Sequence, residues 1–317
     1  MNTDYKILTK ALANRLQLVL PNLISSDQVG YLKNRYIGEN VRIIEDVMTY
    51  TDLKNLSGYI VLLDFEKAFD SIEWAYLYKT LETFNFGPKF QKWIQILYTN
   101  IESTVSNNGY FSKFFNLNRG IRQGCPLSAL LFLLVAETMA CSIRNDKHIR
   151  GINIEKDIFK ICQLADDTTI FVKDIKSIET LMTFLQSFHE YTGLKINIDK
   201  SQVVPIGKEK LCCIKLPNSI KKMMVNSKCF RTLGVWFSYD IQEAISLNFN
   251  EKIEKIETIL NIWKTRRLSW KGKILIIKSL LLPQLTYLLS VCYCPERILR
   301  KVDQIFMDFF GIKKYQR

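Results

Sequence analysis

Apolar residues recur at helical spacing in several separate stretches of the chain. These stretches are residues 7–20, 39–49, 74–84, 88–101 and 177–191. A period of 3.6 residues predicts amphipathic helices, and Pro21 and Gly193 are typical of the ends of the first and last. Residues 127–143 are apolar on nearly all sides, which predicts a helix buried in a core.

Short β-prone runs lie between these helices. Residues 58–65 (GYIVLLDF) predict a buried strand that ends at Asp64. Hairpins or paired strands are predicted at residues 104–119, 151–172 and 230–238. After residue 244 the pattern is helical, with breaks near residues 267–269 and at Pro283. The pattern therefore predicts an α+β centre followed by a helical tail.

The charge of the chain favours a polyanionic partner. The net charge is +13 and the pI about 9.3, which makes nucleic acid the first candidate. Residues 250–317 are especially basic, with fourteen Lys or Arg against six Asp or Glu. Binding through phosphates is the function that such a tail predicts, and a solvated surface is the alternative for any single lysine.

Cysteine usage argues against a secreted or zinc-binding protein. The eight cysteines lack zinc-type spacing, and there are only two histidines. The N-terminus has no apolar signal core. The uncharged run at residues 279–294 is shorter than a bilayer span, so we expect a buried helix there and no membrane partner. A reducing, intracellular location is the expectation.

Two adjacent aspartates, Asp166 and Asp167, lie between β-prone runs and have no cation beside them in sequence. Their repulsion is a cost unless a metal ion offsets it. An ordinary hairpin turn is the alternative. With Asp64 at the end of a neighbouring strand, the three could hold two divalent cations for phosphoryl transfer, and Mg²⁺ suits such a site.

Three segments around these aspartates carry a family resemblance. DFEKAFDS at 64–71, RGIRQGCPLS at 119–128 and LADD at 164–167 resemble motifs A, B and C of LINE-type (non-LTR) retrotransposon reverse transcriptases. Further segments are similar to the family's fingers motifs, motif D, primer-grip motif E and thumb: residues 4–15, 28–31, 193–201, 233–235 and 263–287. The resemblance covers nearly the whole chain.

The resemblance implies a right-hand polymerase fold. We expect an antiparallel-sheet palm flanked by helices, partial helical fingers and a helical basic thumb. The implied domains are N-terminally truncated fingers at 1–57, a palm at 58–240 that holds motifs A to E with helices between A and B, and a thumb at 241–317.

The resemblance also implies roles for single residues. Asp64, Asp166 and the carbonyl of Phe65 would bind two Mg²⁺ ions, with Mn²⁺ as a substitute, and Asp167 matches the second catalytic aspartate. Lys200 matches a lysine proposed to protonate the leaving pyrophosphate.

The implied nucleotide contacts are Phe69, Gln123 and Gly124. Phe69 would exclude a ribose 2′-hydroxyl, and core packing is its alternative role. The implied nucleic-acid contacts are Lys10, Arg15, Arg35, Gly234, Arg266, Arg267, Lys271, Lys273 and Lys278.

The function so implied is RNA-templated DNA synthesis within a non-LTR retrotransposon. Its partners would be an RNA template, a DNA primer and deoxynucleoside triphosphates, in a ribonucleoprotein of the cytoplasm and nucleus. The chain begins inside the fingers, so the alternative is a catalytically incompetent remnant that only binds RNA. An intron-type enzyme or an RNA-templated RNA polymerase is a further alternative.

Overall fold

The computed structural model describes residues 2–211, 218–225 and 228–312. Cys212 and Cys213 lie outside these ranges. The chain divides into two compact units, residues 1–225 and 226–317. The boundaries of fingers, palm and thumb stay predictions; the hairpin at 229–238 groups with the helices that follow it.

The first unit contains both helices and strands. Its helices are α1 (Thr3–Leu23), α2 (Ile37–Leu53), α3 (Ala68–Ser71), α4 (Trp74–Thr83), α5 (Pro88–Leu97), α6 (Ser128–Asn145), α7 (Ile175–Thr192) and α8 (Asn218–Met223). Its strands are β1 (Ser57–Leu63), β2 (Glu102–Ser103), β3 (Ser106–Asn107), β4 (Tyr110–Phe111), β5 (Phe115–Asn116), β6 (Ile152–Ile154), β7 (Asp157–Phe159), β8 (Ile161–Leu164), β9 (Asp167–Val172) and β10 (Gln202–Gly207).

Four of these strands form an antiparallel sheet in the order β10-β1-β9-β8. In β1, Tyr59, Val61 and Leu63 join the main hydrophobic core together with α6 and α7. Ile60 and Leu62 point to the opposite face of the sheet, and α2 contacts β8 and β10. Because both faces of β1 are covered, its sequence is apolar without interruption.

Side-chain caps and a glycine set the ends of two helices. Asn2 accepts a hydrogen bond from the first turn of α1, and Asp174 accepts one from the N–H of Ser177 in α7. At the end of α7, Gly193 has φ +77°, and a Cβ there would lie 2.0 Å from the carbonyl oxygen of Ser71. Only glycine fits this close crossing of two segments.

The second unit is a hairpin followed by helices. The strands are β11 (Cys229–Thr232) and β12 (Val235–Ser238), and the helices are α9 (Ile241–Lys264), α10 (Trp270–Ile276), α11 (Leu282–Val291) and α12 (Glu296–Phe310). The break expected near residues 267–269 is present, because α9 ends at Lys264 and Ser269 caps α10. The break expected at Pro283 is absent, and the chain stays helical there. A π-helical turn at Ile277–Leu281 comes before α11, and Pro283 lies in the first turn of α11.

The expectation of a buried helix at residues 279–294 is only partly correct. Leu281, Leu285 and Leu288 are buried, whereas Leu282 and Leu289 are about 40% exposed. By length and hydropathy, Trp270–Val291 is one of two helical segments in the described ranges that could cross a membrane. The other, Ser128–Asn145, lies mostly inside the core of the first unit. The absence of a membrane partner stays a prediction.

Candidate active site

The sheet brings the three predicted aspartates to one end of two adjacent strands. Leu63 of β1 pairs with Thr168 of β9, so the next position in register sets Asp64 opposite Asp167. Leu164 of β8 pairs with Asp167, which leaves Asp166 in the two-residue loop between β8 and β9. Asp64 and Asp167, 103 residues apart in sequence, thus become neighbours through strand pairing.

The electrostatics of this end of the sheet favour a cation. The pKa of Asp167 is raised, first by burial and then by the negative charges of Asp166 and Asp64. Among the ion pairs of the described residues, none includes these three carboxylates. A bound cation would offset a repulsion that the protein itself leaves uncompensated.

The donor atoms fit a magnesium site. The carbonyl oxygen of Asp64 accepts the N–H of Asn197 at 2.8 Å, and Phe65 pairs with Ile196 in an antiparallel bridge, so the backbone at the predicted carbonyl ligand is held in place. In the described ranges no three His, Cys, Asp or Glu side chains are gathered so that they could hold a metal as they stand. The predicted set needs only two carboxylates and a carbonyl, and like charges separate when no cation holds them.

Motif B lies against the segment that follows Asp64. The carbonyl oxygen of Phe69 accepts the N–H of Ile121 at 2.6 Å, and the side-chain amide of Gln123 donates to the carboxylate of Asp70 at 3.2 Å. Gly124 has φ +77°, which favours glycine. The three predicted nucleotide contacts therefore lie on adjoining segments.

Phe69 has one ring face in the core. It is half-buried and stacks on Phe132 of α6, with ring centroids 4.5 Å apart and an interplanar angle of 18°. Core packing and a nucleotide contact are thus compatible for this residue, because it stays partly exposed while it stacks on Phe132.

The motif D segment is tied directly to Asp64. The backbone N–H of Asp64 donates to the hydroxyl oxygen of Ser201 at 3.1 Å. Lys200 precedes Ser201, is exposed, and donates its backbone N–H to the side-chain oxygen of Asn197 at 3.3 Å. The chain therefore places Lys200 one residue from a direct contact with Asp64, which fits its predicted role and leaves that role a prediction.

The basic residues predicted in the first unit have different surroundings. Lys10 and Arg15 are exposed on α1. The guanidinium of Arg35 donates instead to the backbone carbonyls of Ser25, Gln28 and Ile24, at 2.6 Å for Gln28 and 2.8 Å for Ile24. This arrangement gives Arg35 a structural role, and its contact with nucleic acid stays a prediction.

The basic residues of the second unit are also not equivalent. Arg267, Lys271 and Lys278 are exposed. Arg266 lies 4.9 Å from the ring of Trp263, and Lys273 lies 5.5 Å from that of Phe309.

Gly234 occupies the turn between β11 and β12. It has φ +76° in a two-residue turn whose other residue, Leu233, accepts a hydrogen bond from the hydroxyl of Tyr287 at 2.5 Å. The predicted primer-grip turn is thus held to α11 within the second unit.

Sequence reasoning assigned no role at the catalytic end to Gln28 and Gly30. The structure places both against the loop that carries Asp166. The resemblance places residues 28–31 in a fingers motif and gives no link to motif C, and without it a glutamine and a glycine near a helix end are ordinary loop residues.

Comparison with known families and proteins identifies similar chains. The family described as reverse transcriptase (RNA-dependent DNA polymerase) matches residues 1–237. The transposon TX1 uncharacterized 149 kDa protein of Xenopus laevis is 32% identical over 99% of this chain. The Pol polyprotein of type-2 retrotransposable element R2DM from Drosophila melanogaster is 26% identical over 93%. This chain spans only 24% and 28% of the lengths of these two relatives.

Solved telomerase structures share the fold. One from Candida tropicalis, in complex with a TWJ fragment of telomeric RNA, has a TM-score of 0.55 at 13% identity and covers 98% of this chain and 48% of its own. One from Candida albicans has a TM-score of 0.50 at 12% identity and covers 99% and 48%. The α+β polymerase fold expected from the sequence is confirmed by these matches.

Proposed function

Because the chain belongs to the reverse transcriptase (RNA-dependent DNA polymerase) family, we propose that it adds deoxynucleotides to a primer 3′-hydroxyl on an RNA template, as part of a non-LTR retrotransposon. The retrotransposable elements named among its relatives support this setting. The observation that carries the proposal is the strand register that sets Asp64 opposite Asp167, next to the loop that holds Asp166.

In this proposal Asp64, Asp166 and the carbonyl of Phe65 would hold two Mg²⁺ ions. When bound, such ions lower the pKa of an attacking hydroxyl and neutralise a leaving pyrophosphate. Two bound Mg²⁺ ions would also offset the repulsion by Asp166 and Asp64 that contributes to the raised pKa of Asp167.

The residues around the aspartates would position the nucleotide. The open side of Phe69 would lie under the sugar and reject a 2′-hydroxyl, while Phe132 supports its other face. The hydrogen bond from the N–H of Ile121 to the carbonyl oxygen of Phe69 would hold the motif B loop beside that sugar, together with Gln123 and Gly124. Lys200 would supply a proton to the leaving group. It lies next to Ser201, whose hydroxyl oxygen accepts the N–H of Asp64.

The test is primer extension on an RNA template with deoxynucleotides and Mg²⁺. The wild-type protein should extend the primer, and Asp166→Asn should lose at least about a hundredfold in rate while its Kd for the template–primer changes little. Asp157→Asn removes an exposed carboxylate from β7 and serves as the matched control. Extension by Asp166→Asn at the wild-type rate would contradict the proposed site.

The same experiment separates a polymerase from an RNA-binding remnant. A remnant would bind the template–primer with the same Kd whichever aspartate is replaced, and neither the wild type nor Asp157→Asn would extend it. Extension that needs RNA, deoxynucleotides and Asp166 supports the polymerase.

A further inference from the structure

The loop that carries Asp166 has an unfavourable backbone conformation. Ala165 precedes Asp166, has φ +58° and is buried. A residue with a Cβ rarely adopts this left-handed region, because its Cβ then crowds the backbone. Neighbouring groups must therefore hold the loop in place.

The side chain of Gln28 makes the required contacts. It is 1% exposed, and its Nε2 donates to the carbonyl oxygen of Ala165 at 3.2 Å. Its Oε1 accepts the N–H of Ala165 at 2.9 Å and the N–H of Gly30 at 2.8 Å. One side chain thus bonds both backbone groups of Ala165.

Gly30 lets the two segments approach this closely. A Cβ at position 30 would lie 2.5 Å from the backbone nitrogen of Ala165, closer than any real contact of this kind. The N–H of Val29 also donates to the carbonyl oxygen of Gln163 at 2.9 Å. The N–H of Gln163 donates to the backbone carbonyl oxygen of Asp27 at 2.8 Å. Residues 27–30 therefore run alongside the end of β8.

We propose that Gln28 and Gly30 are positioning residues that fix Asp166 for metal binding. This inference rests on the proposed function, since it concerns the same carboxylate. Asp166 directly follows Ala165, so rotation of the Ala165 backbone would displace its carboxylate relative to Asp64. Neither Gln28 nor Gly30 contacts a reacting group; both act through the backbone of Ala165.

A purely structural role for Gln28 makes a different prediction. It would lower stability and leave metal affinity unchanged. Ser177→Ala is the matched control, because the buried Ser177 hydroxyl also joins backbone segments. It accepts the N–H of Arg150 at 3.1 Å, and its one proton is shared between the carboxylate of Asp174 at 3.1 Å and the carbonyl oxygen of His148 at 3.3 Å. The N–H of Lys173, directly after β9, donates to the carbonyl oxygen of Arg150, which in turn contacts Ser177. Ser177 therefore lies near the end of β9 that is away from Asp167.

The experiment titrates Mn²⁺ alone into the wild type and the variants and follows free Mn²⁺ by electron paramagnetic resonance. Gln28→Met removes all three hydrogen bonds at similar length, Gly30→Ala forces the segments apart, and Gln28→Glu keeps the accepting oxygen. We expect Gln28→Met and Gly30→Ala to weaken Mn²⁺ binding about 10- to 100-fold, as loss of groups that orient metal ligands does. Gln28→Glu should be affected less.

Three further readouts complete the test. The kcat of extension should fall in parallel with Mn²⁺ affinity, while the Kd for template–primer stays at the wild-type value. Ser177→Ala should lower the Tm and leave Mn²⁺ affinity unchanged. If Gln28→Met fails to fold, Gln28→Glu and Gly30→Ala carry the comparison.

Mn²⁺ binding that is lost in Asp166→Asn but intact in the Gln28 and Gly30 variants would overturn the positioning role alone. Absence of Mn²⁺ binding by the wild type would overturn the proposed metal site and this inference together. Equal effects of Ser177→Ala and Gln28→Met on Mn²⁺ affinity would also overturn it.

Discussion

At the scale of single residues, Phe69 is the position where substrate choice can be tested. Its ring stacks on Phe132, and the residue is only half-buried. Phe69→Val should raise ribonucleotide relative to deoxynucleotide incorporation by roughly ten- to a hundredfold, because a smaller side chain leaves room for a 2′-hydroxyl. The measurement is the ratio of kcat/KM for matched ribo- and deoxynucleoside triphosphates.

Phe184→Val is the control for lost packing, since Phe184 is also a partly buried ring on the same core and lies 5.7 Å from Phe188. It should lower stability and leave the nucleotide ratio unchanged. If Phe69→Val folds and extends but keeps the wild-type ratio, Phe69 is a core residue only.

Single residues were predictable where chemistry is local in sequence. Asp64, Asp166 and Asp167 could be proposed because they lie in segments that resemble family motifs, whereas an Asp-Asp pair alone is also typical of a hairpin turn. The role of Gln28 could not, because its partner Ala165 is 137 residues away and only the folded chain joins them. The structural role of Arg35 was missed for a similar reason, since its carbonyl partners are not visible in a sequence.

At the scale of elements, α6 carries a buried carboxylate whose titration should affect stability. Glu137 has a side chain 2% exposed and pairs with Arg144. Burial nevertheless raises its pKa above the ordinary 4.5, against the lowering effect of Arg144. The folded protein then binds this proton more tightly than the unfolded chain does.

Unfolding free energy should therefore fall as pH rises from about 4.5 through the folded pKa of Glu137. Glu137→Gln removes this titration, so its stability relative to the wild type should increase with pH over that range. Arg144 keeps Asp27 as a partner at 2.7 Å in the variant. Urea unfolding at several pH values measures this.

Glu82→Gln, at an exposed carboxylate of α4 that pairs with Lys79, is the control for replacing a carboxylate by an amide in the same unit. A stability difference between Glu137→Gln and the wild type that stays constant with pH would contradict the raised pKa.

The type of most elements was predictable from the sequence, and their exact pairing was not. Strand β10 was missed, because Pro205 argues against a strand in the sequence; it lies at the sheet edge, where a proline is tolerated. The π-helical turn before Pro283 also has no local signature. The strand forms by pairing with β1, and the π-helical turn forms within a longer helical segment, so neither can be predicted from its own residues.

At the scale of the whole molecule, the net charge of +13 should make the affinity for nucleic acid fall as the salt concentration rises. Lys271 and Lys278 are exposed on the second unit. If each contacts one phosphate, replacing both by Gln should reduce the slope of log K against log salt by about 1.4–1.8 on any duplex sequence. Titrations of two unrelated duplexes at several salt concentrations measure this slope.

Lys255→Gln/Lys301→Gln is the matched control, since it removes the same charge from exposed positions on α9 and α12. An equal change of slope in both double variants would assign the effect to net charge alone. A loss confined to one duplex would mean that these lysines read sequence.

The central claim is that Asp64, directly after β1, and Asp166, in the loop between β8 and β9, form one catalytic site. The most direct test compares the single-nucleotide addition rates of Asp64→Asn, Asp166→Asn and the double variant on bound template–primer. Residues that act as a unit are non-additive, so each single variant should lose at least about a hundredfold and the double variant should lose little more. A loss in the double variant equal to the product of the two single losses would contradict a shared site.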